Sequence, residues 1–400
     1  MGSMTRFVDI IHRHHRKIRL LALALLLLIG YLAGLGIAWW EYSAPSQTEV
    51  SQFGVFWEAW HTLQQKYYGE LPALQPMTYA AIRGVLALLN DPYTTFVEPQ
   101  PRQLERDDLR GSFGGIGAWI KRTPQGEYVL TPMPDGPAAR AGLQDGDVLI
   151  RVDDTPITPE MTIQDVQLLI RGPIGTPVRL TIRREGHPTP LTLVIVRQEI
   201  QTPSVTWRVL EEAPDIGYVH ISLFTERTPE ELRSALEDLE GKGANKLLLD
   251  LRDNGGGLLE SAIQVSSEFL TDGVVLYEVK RGEETPYPVR AGGTAQDQPL
   301  VVLVNGGTAS ASEIVAGAIQ AHGRGPLVGE KTFGKGSVQL IYDLSDGSSL
   351  HVTAAYWLTP ARHRIDGQGL TPDIIVPLTE EDRAQGRDPQ MEQGIAYLRK

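Results

Sequence analysis

The chain has 400 residues, no cysteine and a formal net charge of −12 at pH 7. Hydrophobic residues make up 42% of it and charged residues 22%, which is typical of a globular protein, and the length predicts two or three domains. Without cysteine there are no disulfides and no thiol chemistry. The negative charge argues against a nucleic-acid partner, because phosphate binding needs an excess of basic residues.

The N-terminal segment predicts a membrane anchor. Residues 1–19 form a basic arm, and Leu20–Trp40 is a run of about 21 residues without charge, long enough to span a bilayer. The basic arm predicts a cytoplasmic N-terminus, with the remaining chain on the other side of the membrane. A cleaved signal peptide is the alternative, although the run is long for one.

A linker and a helical region follow in residues 41–108. Apolar residues at helical spacing predict helices over Phe53–Tyr68 and Thr78–Leu89. The sequence Asn-Asp-Pro at residues 90–92 ends the second helix. Taken singly, the aromatic residues of this region are interpreted as core residues.

Residues 109–199 are predicted to be mostly strands, with one or two helices. A glycine-rich turn at residues 114–117 and the stretch AGLQDGDVL at residues 141–149 together resemble a PDZ domain. PDZ domains bind extended C-termini by strand addition and hold the terminal carboxylate on backbone N–H groups. The resemblance implies that Thr162–Ile170 is the helix lining the groove. It implies a carboxylate loop made of Gly114, Gly115, Ile116 and Gly117.

Residues 200–378 contain apolar strands that lead into glycine-rich turns. Ile216–Ile221, Lys246–Leu251 and Leu300–Val304 are predicted strands. The second strand leads into a run of three glycines that ends at Gly257, and the third leads into a turn before Ser310. A phosphate site is an alternative interpretation of the three glycines, but no lysine accompanies them.

Ser310 and Lys335 are the parts of a Ser–Lys dyad. A serine is a poor nucleophile until a base takes its proton, and a lysine is a base only when neutral, which burial favours. Ser310 begins a helical pattern, and a helix N-terminus offers N–H groups to a developing oxyanion. If a strand covers Lys335 and Gln339, the even offset puts both side chains on one face.

Other interpretations of these residues stay open. Ser310 also fits an ordinary helix N-cap, and Lys335 a solvated surface lysine. The segment from Gly329 to Lys335 nearly matches a P-loop, but Gly336 stands where magnesium binding needs Ser or Thr. A serine–histidine–aspartate site would instead need a histidine near Ser310. The candidate histidines are His220, His322 and His351.

Two stretches, VNGGTASASEIVAGAIQ and VGEKTFGKGSVQ, resemble the C-terminal processing peptidases, also called tail-specific proteases. These are serine proteases with a Ser–Lys dyad. The resemblance implies that Ser310 is the nucleophile, Lys335 the general base and Gln339 the residue that orients the lysine. Glu313 falls on the family's acidic position, one turn into the serine helix, where it is placed to cap that turn.

The resemblance also implies an oxyanion hole. The glycine-rich turn of the family supplies one backbone N–H, for which Gly256 is the best candidate, and the N–H of Ala311 is its partner. Arg171, just after the groove helix, is expected to pair across the domain boundary and to couple tail binding to the active site. The alternative for Arg171 is a solvated surface side chain.

The expected fold is a multi-domain α/β protein with an anchor helix, a helical lead-in, a PDZ domain and a mixed α/β serine protease core. The expected segments are residues 1–19 (basic cytoplasmic arm), 20–40 (transmembrane anchor), 41–108 (linker and helical region), 109–199 (PDZ domain), 200–378 (catalytic domain) and 379–400 (C-terminal tail with helix).

The expected function is that of an extracytoplasmic serine endopeptidase held in the cell membrane by its single anchor. It cleaves proteins near C-terminal tails captured by the PDZ domain, through an acyl-enzyme, and needs no metal or other cofactor. Its expected partners are protein and peptide tails and the membrane, and a homo-oligomer is left open. The alternative function is a non-catalytic PDZ adaptor on a protease-like scaffold.

Overall fold

The computed structural model of the protein describes residues 47–400. The predicted basic arm and the predicted anchor Leu20–Trp40 lie outside the described residues. Within residues 47–400, no helix combines the length and the apolar character that crossing a bilayer requires. The chain divides after Met77 into two compact units.

Two helices open the described part of the chain. Helix α1 (Gln47–Lys66) begins before the predicted start at Phe53, and helix α2 (Leu74–Ala87) begins before the predicted start at Thr78. The differences are confined to the helix ends, because apolar spacing marks the buried face of a helix rather than its termini.

A short strand and a third helix complete the region before the small domain. They are β1 (Thr95–Val97) and α3 (Pro99–Arg110). Pro99 suits the start of α3, where a missing N–H costs no hydrogen bond. Gly111 ends the helix with a φ of 76°, in the left-handed region that glycine tolerates.

The small domain is a strand-rich unit with its own core. Its elements are β2 (Ser112–Gly115), β3 (Ala118–Arg122), β4 (Tyr128–Pro132), α4 (Pro137–Arg140), β5 (Asp147–Val152), β6 (Thr155–Pro156), α5 (Ile163–Ile170), β7 (Pro177–Arg183), β8 (Leu191–Val196) and β9 (Gln198–Gln201). Strands β3, β4, β5, β7 and β8 are neighbours in that order, with β6 beside β5. Strands β2 and β9 pair with each other, so the entry and the exit of the domain are tied together.

The larger domain alternates strands and helices. Its elements are β10 (Val205–Leu210), β11 (Ala213–Ile221), α6 (Thr228–Gly241), β12 (Lys246–Asp250), α7 (Leu259–Phe269), β13 (Val274–Lys280), β14 (Glu283–Pro288), β15 (Leu300–Val304), α8 (Ala311–Ala321), β16 (Leu327–Gly329), β17 (Ser337–Asp343), β18 (Ser349–Leu358), β19 (Ile374–Ile375), α9 (Glu380–Gln385) and α10 (Pro389–Leu398). The central sheet has the order β10-β11-β12-β15-β16-β19, parallel from β11 onwards. A second sheet has the order β1-β18-β13-β14, and β17 also pairs with β18.

The central sheet is buried on both faces. Leu300, Val302 and Val304 of β15 pack into the core formed with helices α6, α7 and α8. Val301 and Leu303 point the opposite way, into the core that includes residues of α10. A parallel strand covered on both faces is apolar throughout, which is why the sequence predicts β15 with its observed bounds.

An ion-pair cluster fastens the C-terminal helix to the central sheet. The guanidinium of Arg252 donates to both carboxylate oxygens of Asp250 at the end of β12 (2.6–3.1 Å). It also donates to Asp388, the N-cap of α10 (2.9 Å), and to Gln390 (3.1 Å). The Arg252 side chain is 14% exposed and that of Asp250 is 4% exposed, so water screens this pair little.

Substitution Arg252→Ala is expected to lower the free energy of unfolding by about 3 kcal/mol or more, because it leaves the buried Asp250 carboxylate without its partner. Urea unfolding followed by circular dichroism measures this. The control is Lys242→Ala, which breaks the exposed pair with Asp238 and is expected to cost less than about 1 kcal/mol. Equal losses in the two variants would contradict a structural role for the Arg252 cluster.

Candidate active site

The candidate site lies where three parallel strands end at the same edge of the central sheet. The loops after β12, β15 and β16 begin at Leu251, Asn305 and Glu330. Thr308 Oγ1 donates to the carbonyl oxygen of Leu251 (2.8 Å), and the N–H of Phe333 donates to that of Thr308 (3.0 Å). Since the carboxyl ends of parallel strands share one edge, these bonds join the three loops into one site.

Ser310 stands at the turn between β15 and α8. Its φ of 56° is positive, a backbone conformation that costs a non-glycine residue about 1–3 kcal/mol. The turn is held because Ala309 N–H (2.9 Å) and the Ser312 hydroxyl (2.6 Å) both donate to the carbonyl oxygen of Asn254. Ser310 is half-buried at the N-terminus of α8, where unpaired N–H groups and the helix dipole favour negative charge.

Glu313 is a fully buried carboxylate beneath Ser310, and it joins two of the loops. Its Oε2 accepts from the backbone N–H groups of Ser310 (3.0 Å) and Lys335 (2.9 Å). Its Oε1 accepts from Gly334 N–H (2.8 Å) and from the Thr332 hydroxyl (2.5 Å). Burial raises the pKa of Glu313 above its ordinary value, and the four hydrogen bonds oppose this rise. One carboxylate therefore fixes the backbones of both Ser310 and Lys335.

Lys335 is half-buried, and its amine lies over an aromatic ring. Nζ is 5.7 Å from the centre of the Tyr93 ring. Burial lowers the pKa of Lys335 below that of a free lysine, while the charge of Glu105 opposes this effect. Tyr93 is held by Asp91, which accepts from the Tyr93 N–H (3.0 Å) and from the Thr94 hydroxyl (2.7 Å). Tyr93, which follows the Asn-Asp-Pro end of the predicted second helix, thus reaches the site.

Ser310, Lys335 and Gln339 line one cleft of about 900 Å³. Within residues 47–400, no hydrogen bond joins the Ser310 hydroxyl to the Lys335 amine. Gln339 donates through Nε2 to Ser337 Oγ (2.8 Å) instead of to the amine. Strand β17 begins at Ser337, so Lys335 lies in the loop before it and the condition for a shared strand face is not met. The structure therefore brings the three side chains together without pairing them.

The two expected oxyanion donors lie beside Ser310. A Cβ atom added to Gly256 would stand 2.8 Å from Ser310 Cβ and 3.1 Å from the Ala311 nitrogen, so only glycine fits there. The N–H of Gly256 donates to Asn254 Oδ1 (2.9 Å), whereas that of Ala311 has no acceptor among the described residues. The oxyanion roles of both residues stay predictions.

Of the three candidate histidines, His351 alone lines the cleft that contains Ser310. His220 lines a separate cavity near Asp250, and His322 pairs with the carbonyl oxygen of Val274 (2.8 Å). The Nε2 of His351 is 3.4 Å from Glu105 Oε2. Sequence reasoning did not assign a role to Glu105, because α3 carries no recognisable motif.

The predicted carboxylate loop divides between a strand and a turn. Gly114 and Gly115 belong to β2 and pair with β9. Ile116 is buried in the core of the small domain, and Gly117 has a φ of 68° in the turn to β3. Strand β3 ends its sheet with an open edge next to α5, among the residues described. An open edge beside a helix is the geometry that strand addition requires.

Arg171 follows α5 and contacts α3. Its Nη1 lies 3.1 Å from Asp108 Oδ1, and its guanidinium stacks 3.8 Å from the centre of the Phe113 ring. The Arg171 side chain is 14% exposed, so the interpretation as a solvated surface arginine is wrong. Gln164, Leu168 and other residues of α5 line the same cleft as Ser310.

Comparison with known proteins identifies the class. Residues 128–184 match the model for PDZ domains, and residues 215–376 match the model for peptidase family S41. A carboxy-terminal-processing protease of Bartonella bacilliformis is 37% identical over 85% of this chain and 78% of its own. A carboxyl-terminal-processing protease of Synechocystis is 36% identical over 79% of this chain and 75% of its own.

A solved photosystem II D1 C-terminal processing protease is 36% identical and covers 80% of this chain and 86% of its own, with a TM-score of 0.46. The chain is a serine peptidase with a PDZ domain. It belongs to the carboxy-terminal-processing protease family. The resemblance seen in the sequence and the expected multi-domain α/β fold, with its PDZ domain and protease core, are confirmed.

Substitution Glu313→Gln is expected to lower kcat roughly 10- to 100-fold with little change in KM, because the carboxylate that fixes the backbones of Ser310 and Lys335 loses at least one backbone donor and the two loops shift. In either orientation the amide nitrogen of glutamine faces a backbone N–H of this cluster, which leaves a buried donor unsatisfied. Peptide cleavage kinetics measure the loss. Glu260→Gln, in the exposed pair with Arg290, is the control and is expected to keep kcat. An unchanged kcat in Glu313→Gln would contradict the positioning role.

Proposed function

We propose that the protein is an extracytoplasmic endopeptidase that cuts proteins near C-terminal tails held by its PDZ domain. One observation supports this most directly. The cleft lined by Ser310, Lys335 and Gln339 is also lined by α5, the helix beside the open edge of β3. A chain end held between β3 and α5 therefore lies at a wall of the cleft where peptide bonds are cut.

In the proposed reaction Ser310 Oγ attacks the carbonyl carbon of the scissile peptide bond, and neutral Lys335 takes the hydroxyl proton. The carbon–nitrogen bond then breaks, Lys335 returns the proton to the leaving amine, and an acyl-enzyme remains. Water attacks the ester with Lys335 again as base, which releases the new C-terminus and restores Ser310. Every proton taken from a nucleophile is thus delivered to a leaving group.

The negative charge on the substrate oxygen needs donors that are already in position. The unpaired N–H of Ala311 at the N-terminus of α8 supports its role as one donor. Gly256 packs against Ser310 and supplies the second once its N–H turns from Asn254 to the substrate. The Ala311 donor needs no reorganisation, whereas the Gly256 donor becomes available only after its bond to Asn254 is exchanged.

Two side chains move before the dyad can react. The Lys335 amine leaves the Tyr93 ring for the Ser310 hydroxyl, and Gln339 exchanges Ser337 for the amine. Both side chains are flexible, and the backbones beneath them are already fixed. The contact of Arg171 with Asp108 on α3 supports coupling of this change to the PDZ domain, because α3 also lines the cleft.

Membrane attachment is proposed from the sequence alone. Leu20–Trp40 is the anchor, the basic arm before it stays in the cytoplasm, and both domains lie outside. Substrates would then be proteins that reach the outer face of that membrane.

Ser310→Ala and Lys335→Ala are each expected to abolish peptide cleavage without unfolding the chain. Loss of proton transfer alone costs about 10²- to 10⁴-fold. Cleavage of a fluorogenic peptide measures activity, and a fluorophosphonate probe that labels the wild type but not Ser310→Ala identifies the nucleophile. Lys335→Ala with more than about one per cent of wild-type activity would reject the lysine as the base.

Activity is expected to rise with pH through the ionisation of Lys335, because the charged amine cannot accept a proton. Burial lowers the pKa of this group, so the rise is complete at a lower pH than for a free lysine. The measurement is kcat/KM against pH under single-turnover conditions. A flat profile from neutral to alkaline pH, with chemistry limiting the rate, would argue against a lysine base.

Arg171→Ala is expected to slow cleavage of long substrates by roughly 5- to 150-fold, the usual range of coupling between sites. Binding of a tail peptide to the PDZ domain should stay nearly unchanged, since Arg171 contacts Asp108 and Phe113 rather than the open edge of β3. Calorimetric titration and cleavage assays measure the two effects separately. A parallel loss of tail affinity and cleavage would make Arg171 part of the peptide groove instead.

A further inference from the structure

A charge cluster on α3 and β18 lies in the dyad cleft without a role in the reaction described above. Its centre is Glu105, which lines the cleft together with Lys335 and His351. Arg102 Nη1 lies 2.9 Å from Glu105 Oε2, and His351 Nε2 lies 3.4 Å from the same oxygen. The Arg102 side chain is 9% exposed and that of His351 is 12% exposed, so the two groups that hold Glu105 are nearly out of solvent.

The Glu105 carboxylate is charged under ordinary conditions. Burial raises its pKa, but the hydrogen bonds and charges of His351 and Arg102 outweigh this effect and leave the pKa below its ordinary value. Arg102 also contacts Asp343 (3.2 Å), which Arg106 contacts in turn (2.6 Å). Glu105 is thus held by Arg102 and His351, and Arg102 is itself held by Asp343, so the position of the Glu105 carboxylate is fixed.

Among the described residues the Lys335 amine has no carboxylate within ion-pair distance, and Glu105 lies on the wall of the same cleft. The charge of Glu105 raises the pKa of Lys335, against the larger effect of burial. The other groups near the amine have different partners. Glu313 accepts from the Lys335 backbone, and the Tyr93 ring lies under the amine. Asp108 pairs with Arg171, and Asp165 bonds with Thr162. Asp108 and Asp165 line the same cleft, on α3 and α5.

We propose that Glu105 is a positioning residue of the dyad: its carboxylate, held by Arg102 and His351 on the wall of the cleft, is the counter-charge that favours the protonated form of the Lys335 amine in the resting cleft. The inference rests on the proposed roles of Ser310 and Lys335. Glu105 stabilises the ammonium form, which cannot act as base, and so sets the pH above which the enzyme works. The charge on α3 thus tunes the reaction without touching the substrate.

The test is Glu105→Gln in the full chain, which removes the charge and keeps the shape and an acceptor for Arg102. The expected result is a downward shift of about one unit in the midpoint of kcat/KM against pH, which is roughly a tenfold gain in activity on the acid side. In this variant the positive charge of Arg102 is no longer neutralised by Glu105. That charge also disfavours the ammonium form of Lys335, so it lowers the midpoint further. The conservative variant Glu105→Asp is expected to keep the wild-type midpoint.

The matched control is Glu98→Gln, which makes the same change of net charge at the N-cap of the same helix. Glu98 pairs with Arg83 and does not line the cleft. The midpoint of kcat/KM against pH in Glu98→Gln should therefore equal that of the wild type. An unshifted midpoint in Glu105→Gln, or equal shifts in both variants, would overturn the proposal. A lower rate at every pH with the midpoint unmoved would also overturn it, because Glu105 would then have only a structural role.

A second readout does not depend on activity. Carbon-13 NMR of labelled lysine side chains follows the ionisation of Lys335 in Ser310→Ala, with its signal assigned by its loss in Lys335→Arg. Adding Glu105→Gln should lower the pH midpoint of this ionisation by the same amount as it lowers the midpoint of kcat/KM. An unchanged midpoint would overturn the proposal. If Lys335→Ala remains active, the proposed dyad fails, whereas the NMR shift still decides the effect of Glu105 on the amine.

Discussion

The candidate site depends on one buried carboxylate, that of Glu313. A carboxylate without solvent is costly unless its oxygens are hydrogen-bonded, and four donors from two loops satisfy this one. Two of the donors are the backbone N–H groups of Ser310 and Lys335. The separation of the two backbones is therefore set by a shared acceptor inside the protein, whatever their side chains contact in the cleft.

The side chains of Lys335 and Gln339 have partners other than Ser310 and each other. The Lys335 amine lies over Tyr93, and the Gln339 amide bonds to Ser337. Moving either group needs only rotation of a flexible side chain, whereas moving the backbones would break the bonds to Glu313. A site built this way can rest with the proposed dyad unformed while the backbones of Ser310 and Lys335 keep their separation.

Helix α3 carries charged side chains that contact both the PDZ domain and the protease core. Asp108 on this helix pairs with Arg171 beside the groove helix, while Glu105 lines the cleft together with Lys335 and pairs with His351 on β18. Arg102 extends the contacts to Asp343 at the end of β17, the strand that carries Gln339. Through charged side chains one helix thus contacts Arg171 of the PDZ domain and His351 and Asp343 of the protease core, and the strength of each contact depends on distance.

The sequence alone determined the elements and motifs that are local in the chain. The apolar run of β15, the glycine-rich turns and the segments around Ser310 and Lys335 identify strands, turns and a family, because each signal depends on neighbouring residues. The tertiary structure decided which distant groups meet. Tyr93 contacts the Lys335 amine, and Glu105 and His351 line the same cleft, although the three residues come from separate segments whose local sequence does not show that they meet. The bond of Gln339 to Ser337 and the start of β17 after Lys335 likewise follow from pairing with β18, since strand partners far apart in the chain set the register that local spacing leaves open.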